Sequence, residues 1–470
     1  MNVRTILVAA GLLLAGVCVQ AAPVEIDSLE ELADYARRDN VSVRLKPGVY
    51  ELNDASLGRE LDLKLYKGDT PTRDYPAAAL LLFSGNHSTY DLSGAEIRLD
   101  TKLHQAFWKR KLFEVFVTGN RNTIEGLTVR DVGEEVPSDS AIMLTVMGDD
   151  NTISKADLFI HGSSPYGYGH LLGKGGGALV PLHKHSSFLI AGKNTKVLGC
   201  KVVTHGFGHG IVMQGAVDTL IKDCYVEGEM RTTDEMLAET SGLAFDVGFK
   251  SDYPPGTIVP GQIKCLAEDG IRTYAYGSLV GRSTERVIVE NCVIKHMRSG
   301  VALGAERGPS TVTGTTVIGC QERGYSIGSN GVIEHCKGDA MYGPLLTFLG
   351  ARTKNCTIDL ELMPETNAFP VTRLLEVNGT GHTITVRNHE GKRRRKETPF
   401  VFGESDWGDI HLFRAPDSDP SNYSGAYSCT LTNQTGMPIV FSELSENCTV
   451  VTDGRIQKKG GKNNKVVKVR

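Results

Sequence analysis

Short runs of alternating apolar and polar residues recur along most of this chain, and apolar spacing of the helical kind is scarce. "NTIEGLTVRDV" from Asn122, "NTISKADLFIHG" from Asn151 and "NTKVLGCKVVTHG" from Asn194 share one layout, as do "VDTLIKDCYVEGE" from Val217 and "TERVIVENCVIKHM" from Thr284. Each copy is a short alternating strand, a turn and a second short strand. Period-two alternation bounded by Gly, Asn and Asp reads as β-strands joined by tight turns. Cys200 and Cys224 lie 24 residues apart, and other copies follow at about 30 residues or more. A unit of this size cannot bury its own apolar face, but stacked units bury a continuous core. The pattern predicts an all-β solenoid, a parallel β-helix. Residues at one phase of successive coils then form columns, with rungs about 4.8 Å apart.

In this register Cys200, Cys224, Cys292, Cys320 and Cys336 are expected to share one column, as an interior stack of small apolar side chains. Ahead of the repeats, "SLEELADYARRDNVSVRLKPGVYEL" predicts a helix and two strands, with Ser28 and Glu31 spaced as a capping box. A helix there would plug the open end of the solenoid. Helix, "VRLKPGVYEL" and Asn/Gly-punctuated coils together resemble the pectate-lyase-like right-handed parallel β-helix superfamily, over roughly residues 24–455. The resemblance implies a right-handed parallel β-helix with an N-terminal capping helix and a secreted carbohydrate-active protein. It implies no single reaction, because lyases, hydrolases, epimerases and adhesins share the fold. The expected organisation is a leader over 1–21 and a capped β-helix over 22–390, with a long insertion near 229–268. Irregular last coils would fill 391–455, and a basic tail 456–470.

Composition narrows the class. The formal net charge of −4 over 470 residues gives no electrostatic footprint for nucleic acid. "MNVRTILVAAGLLLAGVCVQAAP" has a basic start, an apolar run too short to span a bilayer and a small-residue cleavage pattern. It reads as a secretory signal peptide, which places the protein in a periplasmic or extracellular space with no stable membrane span. Val17 directly before Cys18 argues against a lipoprotein. Beyond the leader nine cysteines remain, with no CxxC pair to argue for zinc.

Candidate chemistry concentrates in "PLHKHSSFLIAGKNTKVLGCKVVTHGFGHGIVMQGAVD", Pro181 to Asp218, which holds His183, Lys184, His185, His205 and His209. A shift of 24 residues sets His185 beneath His209, and the same phase continues through Asp269, Ser299 and Arg323. A second column holds His161, His205 and Glu229. Lys184 and His205 are 21 residues apart, about one coil, so they are expected to face one sugar. Lys184 is the candidate base, its pKa lowered by flanking positive charge, with His185, His205 and His209 as catalytic partners. The insertion contributes Arg231, Asp234 and Glu235 to a substrate wall, and the Gly-rich loop before His183 contributes Tyr166 and Tyr168 for stacking on sugar rings. His183, Arg272 and Arg298 complete the expected substrate contacts, the arginines through bidentate bonds to acidic groups.

A uronate lyase needs cations to stabilise enolate-like charge, a base for the C5 proton and an acid for the leaving oxygen. Chondroitinase-B-like and alginate lyases of this fold pair a lysine base with an arginine about one coil later. The Lys184 arrangement is similar, with His205 or His209 in place of the arginine, and the Asn/Glu calcium-ligand pattern of those enzymes is not evident. A hydrolase needs two carboxylates across the bond. "GHGI" at 208–211 and "GIRT" at 270–273 resemble fragments of polygalacturonase motifs, without that family's acidic elements. The ranking is therefore a polysaccharide lyase first and a glycoside hydrolase second, with a non-catalytic carbohydrate-binding or adhesin solenoid behind them. The expected partner is a polysaccharide or oligosaccharide. Calcium, or a divalent metal on His183, His185 and His209, is the cofactor alternative.

Overall fold

The computed structural model describes residues 22–469, apart from 136–138, 163–165, 174–178, 182, 253–254, 340, 349–351, 365–372, 395–396 and 404–424. The leader reading thus lies outside the described residues. The chain forms a right-handed parallel β-helix. One sheet carries the site, and nine of its strands are labelled here: β1 (Arg59–Lys67), β2 (Thr70–Phe83), β3 (Lys111–Val117), β4 (Ala141–Val146), β5 (His185–Ile190), β6 (Ile211–Gln214), β7 (Asp269–Tyr274), β8 (Ser299–Ala302) and β9 (Arg323–Ile327). From β2 onward they pair in parallel and in sequence order.

The other faces begin as two short-strand ladders, one through Thr152–Ser154 and Lys196–Leu198, the other through Asp157–Ile160 and Lys201–Thr204. Both ladders converge on a single strand, Val332–Gly338. From there one long strand replaces two per coil, so the cross-section loses a corner. Parallel coils continue to Lys465–Lys468, and the basic tail is part of the ladder. Of the basic tract at 391–397, Lys392 pairs with Glu390 and Arg393 with Asp453, while Arg394 is buried.

The N-terminal helix, Leu29–Tyr35, buries Leu29, Leu32 and Ala33 against the first coil, as a plug requires. Ser28 accepts from Glu31 N, while the Glu31 carboxylate takes the Asp27 N–H, one residue earlier than in a regular capping box. The lumen is apolar from Ile26 to Val450. The nine described cysteines are all free and buried. The ladders align Cys200, Cys224, Cys292 and Cys336 but put Thr315 where the pattern called for Cys320. Cys320 falls instead in the phase of Met297, because that coil takes 23 residues from Cys292 to Thr315 and Cys320 lies five residues further on.

Two features position the site. The first is a column of glycines, Gly210, Gly270, Gly300 and Gly324. A Cβ on Gly210, Gly270 or Gly300 would lie 2.5–2.8 Å from the next coil's carbonyl oxygen. The residues just before them, His209, Asp269, Ser299 and Arg323, thus share one phase, as expected from sequence. The second is the antiparallel β1–β2 hairpin, an arm folded over the outer face of the sheet. Leu61, Leu63 and Tyr75 of this arm pack on Phe113, Phe116, Ile142, Leu189 and Val212. Its tip docks through Tyr66 N to Ser278 O at 2.7 Å and Gly68 N to Tyr276 Oη at 2.6 Å.

Candidate active site

Between the arm and the outer face of β3–β7 lies a cleft of about 280 Å³, lined among others by Tyr75, Lys111, Lys184, His209, Glu268 and Tyr274. Glu268 and Asp269 end the long insertion and start β7, so chain geometry sets both acids against His209 of the preceding coil. Lys184 Nζ donates to Glu268 Oε2 at 2.8 Å and lies 4.8 Å from the centre of the Phe207 ring. His209 Nε2 is 3.3 Å from Glu268 Oε2 and 2.9 Å from Tyr274 Oη. The Asp269 N–H donates to His209 Nδ1 at 3.2 Å, so the ring proton sits on Nε2. Burial, with the positive charge of Lys184 and Arg298, lowers the His209 pKa to about 4 against the pull of Glu268 and Asp269. At neutral pH His209 is therefore an uncharged donor through Nε2. Burial opposes ionisation of Glu268, but His209, Arg298 and Lys184 hold its carboxyl at about 2.

Lys111 is the second amine of the cleft. It is buried, donates to Ser140 Oγ at 2.6 Å, and has its pKa lowered to about 8 by burial, with Lys184 adding repulsion. Burial raises the Tyr75 phenol to about 12 and the Tyr274 phenol in the same direction, so both are protonated donors. Beneath the cleft, Arg298 makes bidentate bonds to Asp269 at 3.1–3.3 Å, and Arg272 also binds Asp269 while stacking 4.8 Å from the Tyr274 ring centre. Both arginines are committed to this buried carboxylate, which stays well below the usual range despite its burial because of them.

The expected histidine cluster does not assemble. Phe188 pairs with Ile211, a shift of 23 residues rather than 24. His209 therefore stacks on Ser186, and His185 points to the opposite face, since a one-residue slip inverts every side chain. His185 lies inside the solenoid against Glu114. His183 Nδ1 meets the Asp139 carbonyl at 2.7 Å. The charged neighbour of Lys184 is a carboxylate, not the flanking imidazoles. His205 sits with Glu229 at 3.7 Å and against Phe159, away from the residues lining the Lys184 cleft.

The insertion residues gather elsewhere. Tyr166, Tyr168, Arg231 and Glu235 line a second cleft of about 730 Å³ with Glu229 and Glu239. Arg231 binds Glu239 at 2.5 Å, and the Tyr168 hydroxyl donates to the same carboxylate. Glu235 closes a capping box with Thr232, and Asp234 accepts from Gly261 N at 2.9 Å, so both also hold the insertion together. Tyr168, Leu171 and Leu172 of the Gly-rich loop share a small core with Met236, Ala244, Ile258 and Leu266 of the insertion.

No family model matches the chain, and no curated protein matches it significantly. Among solved structures it is similar to a PL6 alginate lyase in complex with a trisaccharide (TM-score 0.43, 13% identity, covering 95% of this chain and 85% of that one). It is also similar to a mannuronic-acid-specific polysaccharide family 6 lyase from human gut microbiota (TM-score 0.40, 10% identity, 95% and 83% covered). A third is a tailspike protein mutant of E. coli bacteriophage HK620 in complex with a hexasaccharide (TM-score 0.41, 12% identity, 92% and 66% covered).

Proposed function

We propose that this protein is a polysaccharide lyase that cleaves a uronic-acid-containing polymer by β-elimination in the Lys111–Lys184 cleft. One observation carries the reading. Among the described residues lining this cleft, Glu268 is the one carboxylate, and it is ionised and held by Lys184. A glycosidase needs two carboxylates, one of them protonated. An elimination instead needs cations, a base and a donor, and the cleft supplies these from Lys184, Lys111, Tyr75 and Tyr274.

In this mechanism the Lys184 ammonium faces the sugar carboxylate and stabilises charge as it develops. The neutral Lys111 amine takes the C5 proton. The C5 electron pair forms the C4–C5 double bond, the C4–O bond breaks, and a phenol of Tyr274 or Tyr75 protonates the departing oxygen. His209 holds Tyr274 in place through Nε2. The leader over 1–21 would carry the enzyme out of the cytoplasm to such a polymer, and N-terminal sequencing of the mature protein tests that part.

The experiment is incubation with alginate, pectate and glycosaminoglycans, followed by ultraviolet absorbance of the unsaturated product. A rise with one polymer, abolished by Lys111→Met, supports the lyase. Reducing ends without that absorbance point to the second reading, a hydrolase in the larger cleft, which the carboxylates of Glu229, Glu235 and Glu239 favour. Binding with neither product points to a non-catalytic solenoid.

A further inference from the structure

The lumen is apolar almost throughout, yet one coil end encloses His104, Glu114 and His185, each at most 2% exposed. They come from three places: a short helix (Leu103–Ala106), β3 and β5. His104 Nδ1 meets the Glu135 carbonyl at 3.3 Å, and His185 Nδ1 meets the Gly162 carbonyl at 2.9 Å. A carbonyl only accepts, so both rings carry a proton on Nδ1. Where such a ring is neutral, its Nε2 carries the lone pair. Both Nε2 atoms face one atom, Glu114 Oε1, at 2.7 Å from His104 and 2.9 Å from His185. Three electron-rich atoms thus converge within 4.8 Å of one another in a space without bulk water. His185 Nε2 and Glu114 Oε2 are buried and make no hydrogen bond of ordinary geometry. The buried carboxylate needs positive charge beside it, from a proton on an Nε2 or from a cation held between the two rings, and Asp131 Oδ2, 3.6 Å from His185 Nδ1, adds to that need.

We infer that His104, Glu114 and His185 form a binding site for a divalent transition metal of the zinc class. Two imidazole nitrogens and one carboxylate oxygen are a donor set for such an ion, and three protein ligands leave a fourth position for water. The two Nδ1–H···O=C bonds are the outer contacts that fix metal-ligating histidines in the right tautomer. A tetrahedral ion with ligands 2.0–2.1 Å away separates them by about 3.3 Å, so each gap between an imidazole nitrogen and the carboxylate oxygen, 2.7 and 2.9 Å, must open by roughly half an ångström. The ion would staple the excursion at 101–110 to two rungs of the sheet. The residues differ from the His183, His185 and His209 set that the sequence offered, and the site stands independently of the lyase reading.

The test uses full-length protein without a histidine tag. Elemental analysis is expected to find about one zinc-class ion per chain, either as purified or after zinc incubation and desalting. Cobalt exchange is expected to give visible d–d absorption, and chelator to lower the melting temperature. Glu114→Gln keeps shape and removes charge. It is expected to lose the ion while circular dichroism stays native-like. Substoichiometric metal in the wild type, with no chelator effect on melting, overturns the proposal. So does full stoichiometry in a folded Glu114→Gln protein. If that variant does not fold, the wild-type measurements decide.

Discussion

Replacing Lys111 with methionine separates stability from catalysis. The amine is buried, and its pKa in the folded protein is about 8 against an ordinary 10.5. A shift of about 2.5 units, at 1.36 kcal/mol per unit, corresponds to about 3 kcal/mol. The sign follows from proton counting. Between pH 8 and 10.5 the unfolded chain binds more protons at this site than the folded one, so stability rises with pH across that window. Below about pH 8 the folded protein carries the whole burial penalty. Lys111→Met removes the charge and keeps the volume, at the loss of one hydrogen bond to Ser140 worth about 1 kcal/mol. The variant should therefore gain about 2 kcal/mol at pH 7 in urea unfolding, break even near pH 10, and be about 1 kcal/mol less stable above about pH 11. Its turnover should fall at least a hundredfold, the lower range for a lost general base. In the wild type the neutral fraction of the amine grows from about 10% at pH 7 to about 90% at pH 9, so initial rates should climb about ninefold. A flat rate profile across this range, or a destabilised and fully active Lys111→Met, refutes the argument.

Glu268 carries the opposite linkage. Its folded pKa of about 2 lies below the ordinary 4.5, so its stabilisation is present above the ordinary value and lost as pH falls toward 2. Urea titrations at pH 5 and pH 2.5 should show the wild type losing about 2 kcal/mol at this site, and Glu268→Gln losing none of that share. His209→Ala should lower turnover about tenfold or more through misplacement of Tyr274, whereas His205→Ala, outside the cleft, should change it less than about threefold. A thiol reagent should find almost no reactive cysteine in the folded protein and should titrate the nine buried thiols after denaturation. Gly281→Ala should undock the arm, because a Cβ there lies 2.4 Å from the Gly68 carbonyl oxygen. Limited proteolysis at the hairpin tip reads this out.

The solenoid was legible because stacking repeats one pattern many times, so single errors of phase average out. The polar column of His209, Asp269, Ser299 and Arg323 was readable for that reason, aided by the glycine after each. The site was less legible because faces depend on single residues. A coil of 23 residues instead of 24 sent His185 inward and removed it from His209. Glu268 and Tyr274 lay in the same "EDGIRTYAYG" stretch that drew attention to Asp269, but a 60-residue coil hid what they face. Lys111 and Glu114 left a clearer trace: two ionisable residues in "KLFEVFV", a strand that is buried at every position. An interrupted apolar run of this kind is a stronger signal than a histidine-rich segment, because a charge inside a sheet needs a partner or a purpose. The β1–β2 arm left no trace of its role, since an alternating hairpin reads the same whether it joins a coil or covers one.

That arm behaves as a beam held firmly at one end. Its root is continuous with β2, which pairs with β3 from Ala77 to Phe83. Its tip rests on the Ser278–Tyr276 turn through three hydrogen bonds, the third from Tyr276 Oη to Tyr66 O at 3.2 Å. An isolated two-stranded ribbon is marginal in water, so the tip dock governs how far the arm stays down. Three net contributions of about 0.5–1.5 kcal/mol put the lifted tip at between about one molecule in ten and one in a few thousand. A sugar chain thus meets a roof whose tip lifts first, while Leu61, Leu63 and Tyr75 keep the rest of the arm on the sheet. In the proposed reaction the tip can lift for the product without unfolding a single rung beneath it.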